Sequence, residues 1–159
     1  MYEVKCFSNR PDFILYKDNE PELKVHFQRG FRAESNFNGI DIQFKPQNAW
    51  GRKFDIIHDG KDVGDVIFKW KGQAIILYVK DNKTHSFLVK PKRMLRSFEV
   101  YNQNEKLLFT IKKSSGLFQR LSYTVVLELE DLRDIDLREL MLYCCYTTMI
   151  IRKKASNHA

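Results

Sequence analysis

Asp134-Ile-Asp-Leu-Arg-Glu-Leu-Met-Leu-Tyr-Cys-Cys-Tyr-Thr-Thr-Met-Ile-Ile151 is the stretch that decides how this chain folds. It reads as one helix, whereas everything before it reads as strands. From Leu140 to Ile151 there is no charge, and apart from two tyrosines the only polar side chains are Thr147 and Thr148. A helix without a polar face must be enclosed, by protein or by lipid. Crossing a bilayer takes about 20 apolar residues, and runs of roughly 10 to 14 belong to buried core helices. Arg138 and Glu139 on one side and Arg152-Lys-Lys154 on the other hold the run to 12 residues. The spacing therefore predicts a protein-enclosed helix over about 135–152 and no transmembrane span. Asp136 with Glu139 fits a capping box, Asp134 adds negative charge at the positive end of the dipole, and the three cations suit its other end.

The remainder has the periodicity of an antiparallel meander. Phe54–His58 and Val63–Trp70 flank Asp59-Gly60, a strong hairpin signal. Ala74–Val79 and Thr84–Val89 flank Asp81-Asn82, and Ser97–Tyr101 and Leu107–Lys112 flank Asn102-Gln-Asn104. Along Tyr123–Leu129 the residues Tyr123, Val125, Leu127 and Leu129 share one face, opposite Thr124, Glu128 and Glu130. Ala74–Val79 is apolar on both faces and predicts a strand covered on both sides. In the first fifty residues Glu3–Phe7, Phe13–Tyr16, Leu23–Phe27 and Ile40–Phe44 are short strands, with a loop over Gln28–Gly39.

These parts predict a mainly β fold: one domain over 1–159, a closed antiparallel β-barrel of about ten to twelve strands around the C-terminal helix. Closure hides the sheet edges, and the barrel interior encloses the helix. A β-sandwich with the helix across one mouth would leave it a polar stripe, which it lacks.

A meander ending in a hydrophobic C-terminal helix resembles the Tubby-like superfamily, which includes Tubby, phospholipid scramblases and LURP-one-related proteins. The features that carry the resemblance are Asp59-Gly-Lys-Asp-Val-Gly64 between strands, the paired hairpins through Lys112, the Tyr123–Leu129 strand and the helix to Ile151. At 159 residues the chain is most similar to the compact LURP-one-like members. The resemblance implies a twelve-stranded barrel enclosing the terminal helix; no ligand-binding residue of the family carries over to a particular position.

The chain carries a net charge of +7 and a pI near 9.3, which suits an anionic partner. Between Lys80 and Lys113 nine Lys or Arg face three acids, a net of +6. The densest piece is Lys90-Pro-Lys-Arg-Met-Leu-Arg96, read as a loop because of Pro91. Lys90, Lys92, Arg93 and Arg96 are therefore the candidate anion- and lipid-binding residues, since basic side chains near anionic lipid each contribute about 1 kcal/mol. The competing explanation is a solvated edge that blocks sheet-to-sheet association.

The expected function is that of a non-enzymatic binding or scaffold module, for an anionic phospholipid headgroup or a protein partner. The alternatives are a small enzyme with its site at a barrel mouth and a nucleic-acid-binding barrel using Arg29-Gly-Phe-Arg32 and Phe37. No catalytic, cofactor or metal motif is present: His26, His58, His85 and His158 are scattered, and there is no GxSxG or P-loop. The acidic run Glu128, Glu130, Asp131, Asp134, Asp136 and Glu139 lacks calcium-loop spacing and reads as strand-end and cap carboxylates. No cofactor is expected. Three cysteines without CxxC predict reduced, inert thiols and a cytoplasmic protein, peripheral to a membrane if it meets lipid.

Overall fold

A computed structural model describes residues 1–6, 11–114, 122–128 and 136–157. Twelve strands run β1 (Tyr2–Cys6), β2 (Phe13–Lys17), β3 (Glu20–Phe27), β4 (Ala33–Phe37), β5 (Ile40–Pro46), β6 (Lys53–His58), β7 (Lys61–Phe68), β8 (Ala74–Lys80), β9 (Lys83–Lys92), β10 (Ser97–Asn102), β11 (Leu107–Lys113) and β12 (Ser122–Leu127), followed by α1 (Leu137–Asn157). Every strand pairs antiparallel with its sequence neighbours, and β1 pairs with β12 to close the barrel, Tyr2 opposite Val125 and Val4 opposite Tyr123. Closure leaves no unpaired sheet edge.

One set of barrel connections is made from tight turns. Asp18-Asn19, Asn38-Gly39, Asp59-Gly60 and Asp81-Asn82 each place both residues at positive φ. That is the two-residue hairpin geometry whose twist matches its strands, and Asn, Asp and Gly tolerate it best. Asn102 makes the next turn by accepting the N–H groups of Asn104 and Lys106 on its side-chain oxygen, at 2.9 and 3.0 Å.

The helix fills the barrel. Every residue from Leu140 to Ile151 is buried. Its neighbours come from all round the wall. Cys6 of β1 lies 3.8 Å from the Met149 sulfur, and Tyr146 stacks between Phe27 of β3 and Phe44 of β5, with ring centroids 5.5 and 3.9 Å away. The Tyr146 hydroxyl donates to the Phe31 carbonyl at 2.9 Å. Thr147 and Thr148 satisfy their hydroxyls on the carbonyls four residues back, at 2.7 and 2.8 Å, so neither needs water. All three cysteines are free and buried. Burial pushes the Cys6 thiol up to about 11 and raises both helix thiols as well, leaving them inert at neutral pH. No described helix is long and apolar enough to cross a membrane.

Several local expectations change. The Gln28–Gly39 loop contains β4, whose inward residues Ala33, Ser35 and Phe37 alternate with outward polar ones. With so little apolar character the strand gave no sequence signal, and Phe37 points into the core rather than offering a stacking platform for bases. β8 is covered on one side only: Ala74, Ile76 and Tyr78 are buried, whereas Val79 is 48% exposed. Its outward Ile75 is half-buried by lateral neighbours, Ile67 of β7 and Leu88 of β9, so cross-strand pairing does the work assigned to a second layer. Lys90, Pro91 and Lys92 belong to β9 rather than to a loop. Pro91 is tolerated because it pairs only with Phe98 of β10, β8 having begun opposite Val89.

The helix starts at Leu137, with Asp136 as the cap: its carboxylate accepts the Arg138 N–H at 2.8 Å. Burial alone would raise the Asp136 pKa, but the Arg138 side-chain and backbone bonds outweigh it and hold the pKa below the usual range. The Glu139 carboxylate turns into the barrel. The helix runs to Asn157, past the predicted end, because Lys154 docks on Gly51 and Phe68. Asp134 and Leu129, with Glu130 and Asp131 of the acidic run, and His158, lie outside the described residues.

Candidate functional site

Because β2–β3, β4–β5, β6–β7 and β8–β9 turn at one end of the barrel, the connections β3–β4, β5–β6, β7–β8 and β9–β10 gather at the other. These are residues 28–32, 47–52, 69–73 and 93–96. They carry Arg29, Arg32, Arg52, Lys69, Lys71, Arg93 and Arg96, all exposed, and no acidic residue. α1 runs from the tight-turn end to this one, so its last turns add Arg152, Lys153 and Lys154 beside them. The helix carbonyl end carries partial negative charge, which offsets part of the repulsion in so dense a set of cations.

The same rim presents large apolar side chains to solvent. Trp50 is 83% exposed, Trp70 87% and Met94 96%, each from a different connection. Isolated exposed apolar side chains need no explanation, but three on adjoining loops form a patch. They include both tryptophans of the chain. Arg93, Met94 and Leu95 hold φ of 49°, 55° and 68°, three successive non-glycine residues in the left-handed region. Each costs about 1–2 kcal/mol, so the turn displays Met94 at the expense of stability. Within this mouth is a cavity of about 1040 Å³, walled by Phe31, Pro46, Phe68, Pro91, Leu95 and Ile151 together with the two tryptophans and Lys154.

The structure divides the four basic residues singled out from sequence. Arg93 and Arg96 stand in the β9–β10 connection, on the rim. Lys90 and Lys92 point outward from the barrel wall, where each has an internal partner: the Lys90 ammonium sits 5.2 Å from the Tyr101 ring centroid and that of Lys92 lies 3.8 Å from the Glu99 carboxylate. Arg52, Lys69, Lys71, Trp50 and Trp70 were not singled out from sequence, and Arg29 and Arg32 entered only through the nucleic-acid alternative. Trp70 reads as the last residue of a strand from Val63, yet the chain leaves the sheet at Phe68 and turns through Lys71 and Gly72 at positive φ. The available signal was a tryptophan followed within two residues by glycine, in Trp50-Gly51 and Trp70-Lys-Gly72.

A polar cluster at the opposite mouth ties the start of α1 to the wall. Glu139 is buried and accepts hydrogen bonds from Tyr78 at 2.7 Å and Tyr143 at 2.6 Å; His58 Nε2 lies 2.7 Å from the Tyr143 hydroxyl. Burial, foremost, lowers the His58 pKa, with Glu139 and Asp59 opposing and Lys80 assisting. Both phenols are pushed well above the usual tyrosine range, chiefly by burial and by the carboxylate beside them. Tyr78, Glu139 and Tyr143 therefore act as a fixed acceptor and its donors. On the outer wall the carboxylates of Asp55, Asp62 and Asp65 converge, with Gln47 donating to Asp55 and Asp65 and Lys53 3.9 Å from Asp65.

No protein-family model, curated protein or solved structure matches the chain.

Proposed function

We propose that this protein is a non-enzymatic module that docks on anionic phospholipid surfaces through the mouth formed by residues 28–32, 47–52, 69–73 and 93–96. One observation carries the reading: the four connections bring seven exposed cations and no acid of their own to one rim with exposed Trp50, Trp70 and Met94. A lipid interface satisfies both halves of that combination. Tryptophan concentrates at the headgroup level, where its ring is apolar and its N–H is wet. Each cation held near an anionic surface contributes about 1 kcal/mol. A nucleic acid would match the charge and the planes of Trp50 and Trp70, but it leaves exposed Met94, which offers no stacking plane, without a partner. Reduced thiols and a surface-docking end fit a cytoplasmic protein peripheral at the membrane. The barrel with its enclosed helix also fits kinship with the Tubby-like superfamily, on layout alone.

Co-sedimentation with phosphatidylcholine vesicles, with and without phosphatidylserine, tests the reading. Binding is expected only with the anionic lipid. Replacing Arg29, Arg52, Arg93 and Arg96 by Gln should weaken it roughly a hundredfold or more, at about 1 kcal/mol each. Lys90→Gln with Lys92→Gln should weaken it far less, because those ammonium groups already have partners on the wall. A quadruple variant that sediments like the wild type ends the proposal.

A further inference from the structure

Surface docking needs only the exposed side chains of the rim, and it leaves the half-open cavity between the connections unexplained. Its volume of about 1040 Å³ lies just above the roughly 300–1,000 Å³ range for small-molecule sites. Phe31, Phe68, Leu95 and Ile151 make much of its wall apolar. Into this wall comes one half-buried cation. The Lys154 ammonium lies 4.1 Å from the Phe68 ring centroid and donates to the Gly51 carbonyl. Among the described residues no carboxylate lies within ion-pair distance of it. An ammonium has three protons to donate, so one carbonyl and one ring leave capacity over. Burial, and then the positive charge of Arg52, push its pKa down, which is the signature of a cation lacking its counter-ion.

Resting on the reading of this mouth as the ligand end, we propose that the cavity binds one amphipathic anion, a carboxylate or phosphate carried on a hydrocarbon chain. The anion sits on Lys154 with Arg52 nearby, and the chain lies along Phe31, Phe68, Leu95 and Ile151. The helix dipole alone would account for a lysine near a helix C-terminus, but not for apolar walls around it.

Trp50 and Trp70, the only two tryptophans, both line this cavity, so tryptophan emission of the intact protein, excited where the seven tyrosines do not absorb, reports on this mouth. Dodecyl phosphate and dodecanoate, each kept below micelle-forming concentration, are titrated separately. One-to-one saturation with a blue shift is expected, and the tighter of the two identifies the headgroup as phosphate or carboxylate. Lys154→Met, which keeps the stem and removes the charge, should weaken binding about tenfold, near the 1.4 kcal/mol that corresponds to that factor. Ala155→Phe, which fills the cavity from the exposed end of the helix without adding a tryptophan, should abolish it. Inorganic phosphate binding as tightly as dodecyl phosphate, dodecyl maltoside binding as tightly as either anion, or both variants behaving as wild type would overturn the assignment. Should the wild type sediment with anionic vesicles yet ignore the monomeric amphiphiles, the cavity proposal falls and the docking reading stands. Failure with both removes the two together.

Discussion

At one end of the barrel four hairpins close through two residues each; at the other, connections between the same strands run four to six residues. The tight end is built from Asp, Asn and Gly at positive φ, mixes acids with lysines, and ties the helix start to the wall through Glu139, Tyr78, Tyr143 and His58. The wide end gathers seven loop cations, three exposed apolar side chains and a strained turn. A meander needs only short turns for its topology, and the tight end shows how cheaply they are made. The wide end therefore carries features that folding does not require and that partly oppose it, through like-charge repulsion and left-handed backbone. Such local conflict is expected where a surface is kept for binding.

The most drastic way to break the contrast is to remove what joins the two ends. A chain ending at Glu130 lacks the helix and many large apolar contacts, each worth about 1.5–3 kcal/mol of burial, against a typical total stability of about 5–15 kcal/mol. It should show no cooperative unfolding transition by circular dichroism. Next in size, Glu139→Ala strikes the tight end by orphaning buried tyrosine hydroxyls. Chemical denaturation should register a loss of about 2 kcal/mol, with vesicle binding unchanged.

Met94→Gly strikes the wide end in the opposite sense. Glycine accepts the left-handed conformation, so stability should rise by about 1 kcal/mol while vesicle affinity falls. A variant that lost both would make Met94 a structural residue and erase the contrast. Smallest is the pH effect at His58. Its folded pKa lies below the unfolded value of about 6.5, so the unfolded chain takes up the proton more readily. Stability should be fully present above that pH and decline as pH falls through the folded pKa. His58→Asn should remove the part of the decline due to this group, seen by comparing denaturation midpoints across pH.

Which parts of this were legible depends on whether the signal is local. The helix, the Asp59-Gly60 and Asp81-Asn82 turns and the cap at Asp136 were readable because propensity, turn chemistry and capping act over a few residues. β4 was not, because Glu34, Ser35 and Asn36 hide a strand whose only recommendation is its place between β3 and β5. Half the predicted site, Arg93 and Arg96, is at the mouth. Lys90 and Lys92 stand on the outer wall beside Tyr101 and Glu99, a placement that charge density along a chain does not reveal.

That a charge-free helix without a polar face had to be wrapped by strands was written in its residues, since burial is its only stable environment. That Trp50, Trp70, Met94 and cations from four separate connections share one rim emerges only from the folded barrel. Those residues stand as much as 67 positions apart, Arg29 to Arg96, and no periodicity links them. They meet because an up-and-down barrel sends every second connection to the same end, and because the enclosed helix points its carbonyl terminus there.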